Sequence, residues 1–210
     1  MSDTLDATQA RDMLVAVSRY MIDRTDTLTD ADLAIGDGDH GIGMRRGFEA
    51  ALEALNGETP ETVDAPFKAT GMAIMSNTGG AAGAVFGTLF RAGSKGFSGD
   101  VIDGAAFAAF LEEGLAAVLK RGGVTEGQKT MVDALAPAAR AARADSANGL
   151  QAATAAALDG ALQGVEASKA MIATTGKARS LGERSIGHPD PGAISISLIL
   201  TAMRDYTHKN

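Results

Sequence analysis

The chain has 210 residues, 45% of them hydrophobic, and a formal net charge of −7, which provides for one domain with a sizeable core. It contains no cysteine, so disulfides, zinc–thiolate sites and thiol catalysis are excluded. The acidic balance argues against nucleic-acid binding, and the polar N-terminus and the lack of an apolar run of roughly 18 residues lead us to expect a cytoplasmic protein that does not enter a membrane.

Apolar residues recur at helical spacing along the chain, whereas the alternation typical of strands is scarce. The first two stripes predict helices over about 5–26 and 40–56. Pro66 suits the first turn of a third helix, and Asp103 is a candidate N-cap of the fifth. The remaining stripes predict helices around 85–90, from Thr130 to about Ala144, along 155–165 and from Pro191 onward. We therefore predict an all-α, single-domain protein of about eight helices.

Residues 174–190 do not fit this helical scheme. They are charged, spaced by glycines and without clear periodicity, and a loop this long in a compact domain is usually functional or disordered. Lys177, Arg179 and Arg184 would suit a lid that closes over an anion. Composition favours a solvated surface loop equally, so both interpretations stay open.

Three aspartates, Asp32, Asp37 and Asp39, lie in a glycine-containing loop that runs into the predicted second helix. Residues 36–41 formally match the dinucleotide motif G-x-G-x-x-G, but no strand precedes them, and Asp37 and Asp39 would repel a pyrophosphate. An EF-hand is excluded because, counted from Asp37, its sixth and twelfth positions lack the required glycine and glutamate. A solvated turn is the ordinary interpretation of such a segment.

The spacing of the three aspartates favours a metal site over a plain turn. Separations of five and two residues would spread them around a helix, whereas Gly36 and Gly38 allow a bend that brings them together. Neighbouring carboxylates repel one another, and a divalent cation that prefers hard oxygen ligands, Mg²⁺ or Ca²⁺, removes that repulsion. Because the loop leads into a helix N-terminus, which favours phosphate, we expect it to hold Mg²⁺ against the phosphates of a nucleotide.

Two other glycine-rich segments, 77–83 and 190–193, also open predicted helices. Tight helix packing is the ordinary explanation for each, but three such helix starts in one all-α chain favour a shared anion site. Residues 122–130 resemble a Walker A loop with Gln128 inserted before Lys129. We reject that assignment, because a P-loop follows a strand and the residues before this segment are helical.

Together, five sequence blocks resemble those of the L subunit of bacterial dihydroxyacetone kinase, the DhaL-type domain. They occur in the family's order and span nearly the whole chain, residues 1–210. The blocks are Asp32-x4-Asp37-x-Asp39-His40-Gly41, residues 77–83 with Phe86-Gly87-Thr88, residues 121–131, residues 181–188, and Asp190-Pro191-Gly192-Ala193. The combination is specific, and by it the chain is identified as a member of this family.

The resemblance implies an eight-helix antiparallel barrel whose loops bind ADP or ATP through two Mg²⁺ ions, with a lid loop at about 174–190 between the last two helices. It implies that Asp32, Asp37 and Asp39 are the metal ligands and that the basic lid residues Lys177 and Arg184 act in catalysis by stabilising charge. The residues it implies for nucleotide contact are His40, Gly41, Ile42, Gly43, Ala81, Ala82, Gly122, Met131, Lys177, Asp190, Pro191 and Gly192.

In this family a separate K subunit or domain holds the ketose on a histidine, so the chain is expected to be the nucleotide-bearing half of a kinase, inactive without its K subunit. The phosphoryl donor is either exchangeable ATP or ATP that is regenerated in place. In the second case the ADP is tightly held, and an M subunit of the phosphotransferase system rephosphorylates it. A homodimer is also left open. The alternatives are a related kinase for a four-carbon ketose or a fatty acid, and a non-catalytic, ADP-loaded regulatory module.

Four positions depart from the family pattern. Gly43 replaces an expected asparagine, Ala82 a serine, Gln128 an aspartate and Lys177 an arginine. The last change gives up a bidentate fork for a point charge. Because the three aspartates are intact, these departures bear on the substrate and the partner more than on the chemistry.

Overall fold

The part of the chain that the structure describes, residues 3–57 and 59–209, consists of helices and connecting loops and contains no β-strand. The structure is a computed structural model. The nine α-helices of the described residues are α1 (Ala7–Asp23), α2 (Thr25–Leu33), α3 (His40–Leu55), α4 (Asp64–Asn77), α5 (Gly80–Gly93), α6 (Gly104–Gly122), α7 (Val132–Asp145), α8 (Leu150–Ser168) and α9 (Pro191–Lys209). Short 3₁₀ segments lie at Ser94–Gly96, Ser146–Asn148 and Lys177–Ser185, the last interrupted by a kink at Gly182. The predicted all-α class is confirmed.

The helix predicted over 5–26 is wrong at its C-terminal end, and the helix after it was missed. α1 ends at Asp23, the chain turns at Arg24, and α2 follows directly. α2 buries only Leu28 and Asp32, so its sequence lacks the apolar stripe from which helices are predicted. The described residues therefore hold nine α-helices rather than eight, and the added one carries the first aspartate of the acidic loop.

Local sequence signals define several helix ends. The Asp6 carboxylate accepts the backbone N–H of Gln9 (2.8 Å), and the Gln9 side chain accepts the N–H of Asp6 (3.0 Å), a capping box at the start of α1. Asp103, the predicted N-cap, accepts the N–H of Ala106 (2.8 Å) at the start of α6. At the other end of α6, Gly123 adopts the left-handed conformation (φ 61°) that ends many helices.

Eight of the helices form a closed ring. Each of α3 to α8 packs against the next helix along the chain, α9 packs against α1, and α1 packs against α3. α2 takes no place in this ring and packs against α3 and α9. Since α3 to α9 are joined end to end by connecting segments, consecutive helices among them run in opposite directions. The architecture agrees with the expected eight-helix barrel.

The interior of the ring is rich in phenylalanine. Phe67 and Phe110 meet edge to face with 4.9 Å between ring centroids, a favourable arrangement for aromatic pairs. The fully buried phenylalanines are Phe48, Phe67, Phe86, Phe90, Phe107 and Phe110.

None of the described helices has the combination of length and apolar character needed to cross a membrane.

Residues near both ends of the described chain meet at the start of α8. The Asp3 carboxylate accepts the N–H groups of Leu150 (2.8 Å) and Gln151 (3.0 Å) and so caps α8. The Gln151 amide donates to the carbonyl oxygen of Thr207, near the end of α9 (3.0 Å). The chain thus enters and leaves the ring at the end away from the N-termini of α3, α5, α7 and α9.

Glycines let α7 and α8 pack at close range. A Cβ atom at Gly160 would lie 2.6 Å from the carbonyl oxygen of Pro137, and one at Gly164 would overlap the carbonyl oxygen of Asp133. Real Cβ contacts are longer than this, so α8 can approach the backbone of α7 only because both positions are glycine.

We expect Gly164→Ala to lower the free energy of unfolding by about 1–3 kcal/mol, because the added methyl group pushes α7 and α8 apart. Urea unfolding followed by circular dichroism measures the change. Gly99→Ala is the matched control, since no atom lies within 4 Å of a Cβ built there. Equal stabilities of the two variants would contradict the close packing.

Candidate functional site

One end of the ring gathers four loops, and each leads into the N-terminus of a helix: α3, α5, α7 or α9. A cavity of about 380 Å³ opens among them, lined by residues from all four loops. The first N–H groups of a helix have no partner within the helix, and they give its N-terminus a partial positive charge. Four such N-termini around one cavity favour an anionic ligand.

The three aspartates of the acidic loop come together, and two of them, Asp32 and Asp39, line this cavity, whereas Asp37 does not. Asp32, Asp37 and Asp39 each offer a carboxylate oxygen, and these oxygens lie within 4.8 Å of one another. Asp32 is 9% exposed and its carboxylate accepts the N–H of His40 (3.3 Å), whereas the other two are exposed. Gly38 makes the bend with a φ of 79°. We call Asp32, Asp37 and Asp39 the acidic cluster.

The acidic cluster fits a hard divalent cation. Ligands on opposite sides of Mg²⁺ lie about 4.2 Å apart, and those of Ca²⁺ about 5 Å apart. The three carboxylate oxygens lie within 4.8 Å of one another, a limit inside the Ca²⁺ span and slightly above the Mg²⁺ span, and all three donors are the anionic oxygens that both ions prefer.

Lys177 supplies positive charge to the acidic cluster. Its Nζ lies 2.5 Å from Oδ2 of Asp37 and 2.7 Å from Oδ2 of Asp39. The hydrogen bond to Asp37 raises the pKa of Lys177, and the same bond lowers the pKa of Asp37 below its ordinary value. Both groups are therefore charged at neutral pH, and on the acid side the ion pair is lost as the pH falls through the lowered pKa of Asp37.

His40, the first residue of α3, is tied to α9. Its Nε2 lies 2.8 Å from Oγ of Ser195, and that hydroxyl donates to the carbonyl oxygen of Pro191 (3.0 Å). A hydroxyl has one proton, so Ser195 accepts from Nε2–H of His40. Burial lowers the pKa of His40, which favours the neutral ring. The N-termini of α3 and α9 are thereby held next to each other.

The start of α5 presents bare backbone to the cavity. Gly79 and Gly80 both have positive φ (82° and 58°), and no atom lies within 4 Å of a Cβ built at Gly80. Ala81 and Ala82 follow with small side chains, and all four residues line the cavity. A ligand can therefore come close to the N–H groups of this helix start.

Apolar side chains form a second part of the cavity wall. Its members come from α5, α6, the loop after α6 and α7, which places them beside Gly122 and Met131. They are Val85, Phe86, Val118, Val124 and Val132. Such a lining suits the flat, weakly polar face of a purine base.

Asp190 lies on the cavity wall just before α9. Its carboxylate accepts the N–H of Ala193 (2.8 Å) and so caps the helix. Burial of the carboxyl group raises its pKa to about 7, and the nearby Asp133 carboxylate acts in the same direction. Asp190 can therefore change its charge near neutral pH.

Most residues expected to contact a nucleotide line the cavity, and two do not. Gly41 packs its α-carbon against α2, where a Cβ would meet the backbone nitrogen of Thr29 at 2.7 Å. Ile42 is 54% exposed and faces away from the cavity. The predicted residues that do line it are His40, Gly43, Ala81, Ala82, Gly122, Met131, Lys177, Asp190, Pro191 and Gly192.

Of the two basic residues expected to act in catalysis, only Lys177 lines the cavity; Arg184 is exposed and is not part of the wall. Sequence reasoning also missed Arg46, on α3, which lines the cavity and donates to the carbonyl oxygen of Thr78 (3.2 Å). Three of the apolar wall residues, Val85, Phe86 and Val118, were assigned to helical stripes, since periodicity does not separate a cavity wall from a core.

Comparison with known proteins identifies relatives of this chain. Residues 34–205 match the family model described as the DAK2 domain. The ADP-binding subunit DhaL of PEP-dependent dihydroxyacetone kinase 1 from Listeria innocua is 40% identical over 176 residues, 84% of each chain. The ADP-binding subunit DhaL of the PEP-dependent dihydroxyacetone kinase from Escherichia coli is 34% identical over 200 residues, 94% of this chain and 95% of the relative.

A solved structure has the same fold. The dihydroxyacetone kinase from C. freundii in complex with AMP-PNP and Mg²⁺ matches 93% of this chain and 33% of its own length, with a TM-score of 0.71 and 23% sequence identity. The ring of helices thus forms about a third of that longer chain.

We expect Lys177→Met to raise the pKa of Asp37, because the ammonium group that favours the ionised carboxylate is removed. Carbon-13 NMR titration of the carboxyl carbons measures the shift. Lys68→Met is the matched control: it removes the partner of Asp64, so it should raise the pKa of Asp64 and leave Asp37 unchanged. An unaltered Asp37 titration in Lys177→Met would rule out the pairing.

Proposed function

The chain belongs to the DAK2 domain family, and on that premise we propose that it is the nucleotide-carrying L subunit of a dihydroxyacetone-type kinase. One observation carries the proposal: Asp32 and Asp39 of the acidic cluster line the same cavity as four helix N-termini and an apolar wall, and Asp37 lies beside them. This combination provides for the divalent cation, the phosphates and the base of ADP or ATP within one site.

The metal ligands in this proposal are Asp32, Asp37 and Asp39. Two Mg²⁺ ions are proposed, and Mg²⁺ when bound would neutralise phosphate charge and align the phosphates for in-line transfer. The donor set supports this assignment, since three carboxylates can share their oxygens between ions while phosphate and water complete the coordination.

The remaining wall residues have separable roles. The N–H groups at the start of α5, Gly80 to Ala82, would bind phosphate oxygens, and His40 and Gly43 would approach the same phosphates from α3. Gly122, Met131 and the apolar wall would enclose the base. Residues 190–192 would close the site from α9. Glycine or alanine at positions 43, 80–82, 122 and 192 supports the proposal, because such residues leave backbone groups accessible.

Lys177 would stabilise charge on the transferred phosphoryl group. Its ammonium already lies beside the acidic cluster, within reach of a phosphate held there. The lid role of residues 174–190 is part of this proposal, and it gains support from Gly176 and Gly182, which flank the segment's centre with positive φ (66° and 54°). Arg184, exposed outside the cavity, would join the site only through movement of this lid.

The acceptor in this proposal is a short ketose that a partner K subunit holds. His40 is the one histidine among the described residues of the cavity wall, and its Nε2 is bound to Ser195, which supports an acceptor carried on another chain. The two full-length relatives are named PEP-dependent ADP-binding subunits. By analogy we propose that the ADP stays bound and is rephosphorylated by an M subunit of the phosphotransferase system.

We expect Asp37→Asn to abolish Mg²⁺-dependent binding of ADP, because the loss of one anionic ligand weakens the hold on the ion that bridges to the phosphates. Isothermal titration calorimetry with and without Mg²⁺ measures the affinity. Asp159→Asn, at an exposed position of α8, is the charge-matched control. An ADP affinity in Asp37→Asn equal to that of the control would refute the metal assignment.

We expect the purified protein to release stoichiometric ADP when it is denatured after dialysis, because the proposed phosphotransferase-type subunit keeps its nucleotide. Chromatography of the supernatant identifies the nucleotide. An empty site that ATP saturates would instead indicate direct use of ATP.

Phosphoryl transfer is tested by adding a K subunit, with dihydroxyacetone or a four-carbon ketose offered as acceptor. A chain that is loaded with ADP but supports no transfer would favour the regulatory module.

A further inference from the structure

Lys129 is a buried lysine outside the cavity wall, and its side chain joins distant parts of the chain. The residue is 2% exposed. Its Nζ donates to the carbonyl oxygens of Ser168 (2.6 Å), His188 (2.6 Å) and Met171 (3.2 Å). An ammonium group has three donors and no acceptor, so three carbonyl oxygens use all of its hydrogens. The lysine of the rejected Walker A match therefore binds backbone rather than phosphate.

The three carbonyl oxygens belong to the two ends of the connection between α8 and α9. Ser168 is the last residue of α8, Met171 lies just beyond it, and His188 lies shortly before α9. Between them, the N–H of Gly187 donates to the carbonyl oxygen of Lys169 (2.8 Å). These two segments of the chain are thus joined side by side. We call residues 168–174 and 185–190 the neck of the lid.

Further hydrogen bonds close the neck. The N–H of Ala173 donates to the buried hydroxyl of Ser185 (3.0 Å). The N–H of Thr174 donates to the carbonyl oxygen of Gln128 (3.4 Å), the residue before Lys129. The lid residues that follow, Lys177 among them, therefore leave from a fixed base.

Lys129 itself is held in an unusual backbone conformation. It has the one positive φ among the described non-glycine residues, 60°, which costs energy unless neighbouring contacts enforce it. The buried Asp133 carboxylate enforces it by accepting the N–H groups of Gly127 (2.5 Å) and Thr130 (2.7 Å). The next residues of this loop, Thr130 and Met131, line the cavity. Lys129 therefore links a cavity wall to the neck.

We propose that Lys129 is a positioning residue for nucleotide binding. Through the neck it sets Lys177 beside the acidic cluster and residues 190–192 beside the wall formed by Thr130 and Met131. Burial lowers the pKa of Lys129, and the carboxylates of Asp190 and Asp133 oppose that effect. The inference rests on the proposed function, because its consequence is a change in ADP affinity. The hydrogen exchange of the neck amides, however, can be measured without nucleotide.

The test compares Lys129→Met with Lys169→Met. Lys169 also lies in the neck, but its ammonium contacts only the exposed Glu166, so both variants lose one positive charge and only one loses the three carbonyl contacts. In Lys129→Met we expect hydrogen exchange of the Ala173, Thr174 and Gly187 amides to accelerate at least about tenfold in the ligand-free protein. In Lys169→Met the same amides should exchange as in the unsubstituted chain.

Two further readouts separate positioning from general stability. ADP affinity in the presence of Mg²⁺ should fall about 10- to 100-fold in Lys129→Met, the range seen when residues that orient metal-site groups are removed. The carbon-13 shift of the Asp37 carboxylate at pH 7 should move toward its value in Lys177→Met, because Lys177 is no longer held beside it. A variant that is only less stable would leave that shift unchanged.

Unchanged exchange of the neck amides in Lys129→Met, or reduced ADP affinity with a fully protected neck, would overturn the proposal. If Lys129→Met does not fold, the ammonium group of Lys129 is observed instead in nitrogen-15 spectra of lysine-labelled protein. The spectra are recorded on Lys177→Met, so that the ammonium of Lys177 does not contribute. A slowly exchanging ammonium signal is expected there, and its absence would overturn the proposal. If the unsubstituted chain binds no ADP, the proposed function fails, while the exchange data still decide the role of Lys129.

Discussion

The mutual repulsion of three carboxylates is the constraint around which the functional end of this protein is organised. Asp32, Asp37 and Asp39 are held within reach of one cation by the end of α2, the bend at Gly38 and the start of α3. Their surroundings supply compensating positive charge, from Lys177 and from the helix N-termini that face the cavity. The packing of the helical ring stabilises this arrangement, since the charged groups themselves are largely exposed.

The helices of the ring could be predicted because each buries one apolar stripe, and the period of such a stripe is visible in a single sequence. α2 was missed for the same reason, because it lies against the ring with only Leu28 and Asp32 buried. The connection between α8 and α9 showed no period, and the structure explains why. Its order comes from the neck contacts of Lys129, made by backbone groups far apart in sequence, which no local pattern reports.

The polar half of the site was predictable from its motifs, and its exact membership was not. Residues 40–43 form one helical turn, so successive side chains point about 100° apart. His40 and Gly43, three positions apart, face the cavity, whereas Gly41 lies against α2 and Ile42 faces solvent. A motif names all four residues, and only the orientation of α3 separates them. Val118 lines the cavity but was predicted only as part of a buried helix stripe, since a cavity wall and a core look alike in sequence.

The contacts of Asp3 and Thr207 with the start of α8 also determine how this fold can be built into larger assemblies. Both ends of the described chain emerge at the pole of the ring opposite the cavity. A polypeptide fused before α1 or after α9 would therefore extend away from the cavity and leave its mouth free for an incoming partner. A ring of this kind can serve equally as a separate subunit or as one module of a longer chain, without any change to the loops that form the site.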